Sequence, residues 1–156
     1  MSNETSGIRV SIGPPTPEGR LWPRYHNSIG ILTLGSALPR PCPFGVNVGP
    51  VILDIDADAR LANVELILPM RAWKARTGIP APTGKAGDLL IRGCKSPRTD
   101  LDLPVTVHQD VQTDEATIAF GPGEWDRAVS LSNHCFALLQ GDRLAGFWFR
   151  LRKKSG

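Results

Sequence analysis

A chain of 156 residues, 41% hydrophobic and 21% charged, can bury a core without disulfide staples, and 16 Gly with 14 Pro argue against a helical bundle. No apolar run reaches membrane-spanning length, and the opening Met1-Ser2-Asn3-Glu4-Thr5-Ser6 lacks the basic and apolar regions of an export signal. The three cysteines, Cys42, Cys94 and Cys135, are odd in number, widely spaced and free of any C-x-x-C pair, so free thiols, no structural zinc and a cytoplasmic location are expected.

Residues 1–6 are expected to lack order. Eight of the fourteen prolines fall in the first 50 residues, including Pro14-Pro15-Thr16-Pro17 and Pro39-Arg40-Pro41-Cys42-Pro43. Proline fixes φ and offers no N–H, so residues 7–50 read as loop-dominated, with short strands at Ile8 to Ile12 and Ile29 to Leu34.

Residues 51–68 read as a β-hairpin. Val51, Leu53 and Ile55 alternate with Asp54 and Asp56, and Ala62, Val64, Leu66 and Leu68 share one face of the return strand. With Asp56 opposite Leu61, Ile55 faces Ala62, Leu53 faces Val64 and Val51 faces Leu66, while Asp54 meets Asn63. A rival reading comes from the acidic residues at positions 1, 3, 5 and 12 of the window Asp54 to Glu65, the spacing of an EF-hand calcium loop. It makes Asp54, Asp56, Asp58 and Glu65 the site of a calcium-binding or hydrolytic protein. Position 6 of that loop must turn sharply, and Ala59 stands there in place of glycine. The β-branched flanks and bounding Pro50 and Pro69 also favour strands over helices. Through Asp54, Asp56, Leu61 and Glu65 the segment 51–67 resembles the strand, D-x-D turn and L-x-x-x-E strand of small uncharacterised bacterial β domains, which implies a hairpin and no particular activity.

Met70 to Arg76 is expected to make one or two helical turns, with Pro69 at the permitted first position, and Thr77 to Lys85 a loop. Leu89 to Ile91 is a short strand. Val105 to Phe120 forms a second hairpin around Thr113-Asp114-Glu115, and Glu124 to Leu131 fits either helical or strand spacing. Cys135 to Leu139 and Leu144 to Leu151 form a third hairpin, with Ala145, Phe147, Phe149 and Leu151 on one face and Trp148 on the other, packed in a core or against a partner. The chain is therefore expected to be one domain, 1–156, with a hairpin-rich core over 51–151. Its class is mainly β, antiparallel hairpins forming a sandwich, barrel or curved sheet with at most one or two short helices.

Catalytic signatures are thin. His26, His108 and His134 have no ligand spacing, and Asn133-His134-Cys135 places His and Cys on opposite sides of a strand, where they cannot pair as base and nucleophile. No phosphate loop, dinucleotide fingerprint or G-x-S-x-G is present, and no cofactor is expected. Charge is more informative. Residues 71–98 carry seven Lys or Arg against Asp88 alone, whereas residues 99–126 carry Asp100, Asp102, Asp110, Asp114, Glu115, Glu124 and Asp126 with no Lys or Arg. The two blocks could pair as ordinary surface charges. Alternatively, the seven carboxylates form an acidic face for a protein partner with a basic surface, as in a small cytoplasmic immunity protein that neutralises a toxin such as a nuclease. This non-catalytic binding role is the function expected from the sequence. Nucleic acid would instead use Arg71 to Arg98 and the tail Arg150, Arg152, Lys153 and Lys154, but the acidic block opposes it and no aromatic RNA-binding signature is seen.

Overall fold

The computed structural model describes residues 7–94 and 96–151, and the expected loss of order over residues 1–6, Lys95 of the basic block and Arg152, Lys153 and Lys154 of the tail lie outside it. The described strands of the first half are β1 (Val10–Gly13), β2 (Trp22–His26), β3 (Ile31–Gly35), β4 (Phe44–Val48), β5 (Val51–Ile55), β6 (Leu61–Leu66) and β7 (Lys74–Ala75). Those of the second half are β8 (Asp88–Ile91), β9 (Thr99–Leu101), β10 (Val105–Asp110), β11 (Glu115–Phe120), β12 (Arg127–Ser132), β13 (Cys135–Gln140) and β14 (Arg143–Arg150). They build one six-stranded sheet in the order β2-β3-β6-β5-β4-β9, a second in the order β12-β13-β14-β11-β10-β7, and a ribbon of β1 with β8.

Alternation accounts for the layering. Leu32, Leu34, Val46, Val48, Leu53 and Val64 of the first sheet meet Val107, Ile118, Ala137, Leu139, Phe147 and Phe149 of the second in one continuous core. Neither sheet closes into a barrel, so the molecule is a sandwich. Trp73 ties its layers together. This buried ring stands edge-on to Tyr25 of β2 at 5.8 Å and to Phe149 of β14 at 6.0 Å, and its Nε1 donates to Leu68 O at 2.9 Å.

All three expected hairpins form. In the first, Val51 pairs with Leu66, Leu53 with Val64 and Asp54 with Asn63, but a bulge makes Ile55 face Leu61, not Ala62. In the third, a register shift at Leu138 and Leu139 turns Leu144 toward the core and leaves Ala145 beside the outer face, apart from Phe147 and Phe149. Glu124 to Leu131 resolves as loop and strand, and Met70–Ala72 makes a single 3-10 turn.

The N-terminal third holds more strand than expected: β1 and β3 stand near the expected Ile8 to Ile12 and Ile29 to Leu34, and β2 and β4 are additional, with turns and loops between them. Proline is tolerated there by position. Pro23 lies within β2, an edge strand, where a missing N–H costs the sheet no internal bond. Pro43 and Pro50 fall outside β4 and β5.

Candidate functional site

The carboxylates of the first hairpin do not converge. Asp54 accepts from Asn63 Nδ2 at 3.1 Å on the outer face of the sheet. Asp56 is 3% exposed, and its oxygens accept from Arg40 Nε at 2.7 Å, Arg60 Nη1 at 3.2 Å and the backbone N–H groups of Asp58 and Arg60, each at 2.9 Å. Burial alone would raise the Asp56 pKa, but these bonds and the Arg40 charge outweigh it and hold the carboxyl below its ordinary value. Among the described residues no group of three His, Cys, Asp or Glu side chains is placed to hold a metal ion. Ala59 occupies the left-handed region at φ 67° in the turn itself. The spacing of Asp54, Asp56, Asp58 and Glu65 is thus carried by a hairpin, in which Asp56 forms the turn and Asp54 stands on the wet strand face opposite Asn63.

The seven carboxylates of the acidic block are likewise divided. Asp110 and Glu115, only 6% and 7% exposed, serve the molecule itself. Asp110 accepts from the N–H groups of Gly78 and Gln112, both at 3.0 Å. Glu115 stands directly opposite Arg150 across β11 and β14 and accepts from its guanidinium at 2.9 Å. Asp114, at φ 60°, makes the turn between them. Asp102 and Glu124 lie at the other end of the β10–β11 hairpin, about 20 Å away at a strand rise near 3.3 Å per residue. There Gly121 N donates to Pro104 O at 2.8 Å. Asp100 on β9 accepts from Asn47 Nδ2 at 2.9 Å, and Asp126 follows Trp125. The exposed members of the block are therefore Asp100 on β9 of the first sheet, Asp102, and Glu124 with Asp126 in the loop after β11.

Beside it lies a groove that sequence reading missed. Residues 76–87 form a strap across the outer face of the second sheet. Arg76 N donates to Gln109 O (2.9 Å), Asp110 fixes Gly78, and Ser130 of β12 donates to Lys85 O (2.9 Å) and accepts from Gly87 N (3.2 Å). Gly84 is required where the strap touches down, because a Cβ there would sit 2.0 Å from Ala128 O. Ile79 of the strap, Ala128, Leu138 and Trp148 form a second small apolar cluster, against which Trp125 and Phe136 pack. Trp148 thus has its core on the outer side of the sheet.

Between the strap and the Gly121–Trp125 loop the sheet is bare over about 400 Å³, in the range of ligand clefts. Thr106, Thr117 and Ala119 floor it, Arg76, Ile79 and Pro80 wall one side, and Glu124 and Trp125 the other. His108 lines it too, its pKa held below the ordinary value by burial and by the cations of Arg76 and Lys74. Small floor residues next to a loop tryptophan were the available sequence signal, but only the strap, distant in sequence from both, makes them a groove.

The remaining nucleophile candidate is closed off. Cys135 is fully buried on the inner face of β13, and desolvation pushes its thiol far above the ordinary range. No helix of the described residues is long and apolar enough to cross a membrane. No protein-family model matches the chain, and a comparison with curated proteins finds no match.

Proposed function

We propose that the protein is a binding module for another protein and that it docks at the Gly121–Asp126 loop and the adjoining groove. One observation carries this reading: Trp125 stands at the groove mouth between two exposed carboxylates, Glu124 and Asp126. Backbone bonds from Gly123 N to Phe120 O (3.3 Å) and from Asp126 N to Leu139 O (2.9 Å) hold the loop to rigid strands. An aromatic anchor in a partly formed pocket, ringed by charge, is the anatomy of an interface hot spot. Asp102, across the Pro104–Gly121 bond, extends the acidic rim, so a partner with a basic surface fits best. In its most concrete form the module is an immunity protein that covers a toxin such as a nuclease.

The experiment is co-expression with the product of the neighbouring gene, followed by binding kinetics. Trp125→Ala is expected to speed dissociation tenfold or more, and reversal of Asp102, Glu124 and Asp126 to lysine to slow association and remove its salt dependence. Asp54→Asn, remote from the loop, serves as the unaffected control. A partner indifferent to both sets of changes would refute the docking site.

A further inference from the structure

The outer side of β2 carries a large exposed ring. Trp22 is 41% exposed, its centroid 6.3 Å from that of His134, and the two rings are tilted by 55°. Trp22, Pro23, His134 and Arg150 together line an open depression of about 320 Å³. Arg150 is fixed in place: one nitrogen donates to Glu115 Oε2, its carbon lies 5.4 Å from the Trp148 ring centroid, and its backbone N–H donates to His134 O at 3.0 Å. Nearly half of its side chain still faces solvent. Arg24, two residues along β2 from Trp22, is exposed as well. In sequence, Arg152, Lys153 and Lys154 follow immediately on Leu151.

We propose that this shelf binds single-stranded nucleic acid, one base stacked on Trp22 and an adjoining phosphate taken by Arg150, with Arg24 extending the cationic path. Every base has a π-face, so one exposed ring beside cations is a sequence-tolerant stacking platform. An added peptide strand is less well served, because Pro23 removes a backbone donor from the open edge of β2. Glu115 is the carboxylate nearest the shelf's arginine, and being buried it orients Arg150 more than it repels a strand. The inference is independent of the docking loop, since Trp22 and Trp125 line different depressions.

The test is fluorescence anisotropy of a labelled oligothymidylate of about twenty nucleotides, longer than a typical single-domain site. Wild-type protein is expected to bind at low salt and to release as salt rises. Trp22→Ala should weaken binding about tenfold while Trp22→Phe retains most of it, consistent with the usual loss on removing a stacking ring. Arg150→Gln should weaken binding and flatten the salt dependence by about one phosphate contact. Truncation after Leu151 should lower affinity but preserve the ratio between wild type and Trp22→Ala. Thermal melting confirms that each variant is folded. Three results overturn the proposal: no binding by wild type at low salt, equal binding by folded Trp22→Ala, or loss of all binding on truncation, which would assign it to the tail alone.

Discussion

The most consequential side chains are ones a strand pattern cannot reveal. Arg20, Asp88, Arg60, Asp56 and Arg40 form a chain of alternating charge linking the N-terminal segment, β8 and the turn after β5. Arg20 Nη2 lies 3.5 Å from Asp88, Arg60 lies 3.1 Å from Asp88 and 3.2 Å from Asp56, and Arg40 is 2.7 Å from Asp56. Thr16 completes Asp88 through its hydroxyl and its N–H, and Gly19 leaves the room, since a Cβ there would fall 1.8 Å from Asp88 Oδ1. Removing one member of a buried pair strands the others' charge, which costs more than the pair is worth. Asp56→Asn is therefore expected to destabilise the fold by about 3 kcal/mol. In a chain of this length that is a fall in Tm of roughly 6–12 °C. Because the folded pKa of Asp56 lies below its ordinary value of 3.8, its contribution is complete above that pH and is lost as pH falls through the folded value. Wild type should thus lose stability more steeply than Asp56→Asn below about pH 4, as read by urea titration at several pH values. Parallel pH curves would show that Asp56 is not the titrating group.

At the scale of elements, legibility depended on clean alternation as well as on the range of the contacts. Hairpins 51–68, 105–120 and 135–151 rest on alternation and a local turn, and all three were readable. Of the unread strands, β7 and β9 acquire their pairing from distant chain, β7 parallel to β10 and β9 parallel to β4, whereas β2 and β4 pair locally with β3 and β5 and were hidden by Pro23 and by the prolines that flank β4. The strap is the extreme case, because residues 77–85 look like any Pro- and Gly-containing loop and gain their role only from Asp110 and Ser130. The strap's anchor can be tested directly. Asp110→Ala removes the acceptor of the Gly78 N–H, whereas Asp110→Asn keeps an oxygen there. Hydrogen exchange across residues 78–87 should speed up about tenfold in the alanine variant, the equivalent of about 1.4 kcal/mol, and much less in the asparagine variant. Amides of β13 and β14 should keep their protection in both. Unaltered exchange in the strap would mean that Ile79 and the Ser130 contacts hold it without Asp110.

For the molecule as a whole, the mainly β class was visible in the sequence, whereas the disposition of charge was not. The acidic block looked like one surface because its residues are close in sequence, but a hairpin sends Asp110 and Glu115 to one end and Glu124 to the other. The core has the opposite character, gathering scattered residues into one body across both sheets. That continuity has a kinetic consequence at Cys135, which is fully buried in the second sheet, with a thiol kept protonated by desolvation. In a chain whose half-buried Cys42 and Cys94 are replaced by serine, an aromatic disulfide reagent can reach Cys135 only when the core opens. Asp56 lies beside the first sheet. If the two sheets open together, Asp56→Asn must speed labelling of Cys135 by the factor that its stability loss implies, on the order of 100-fold for about 3 kcal/mol. Labelling that stays at the wild-type rate while Tm falls would mean that the first sheet melts alone, and that the shared apolar layer does not make the sandwich a single cooperative unit.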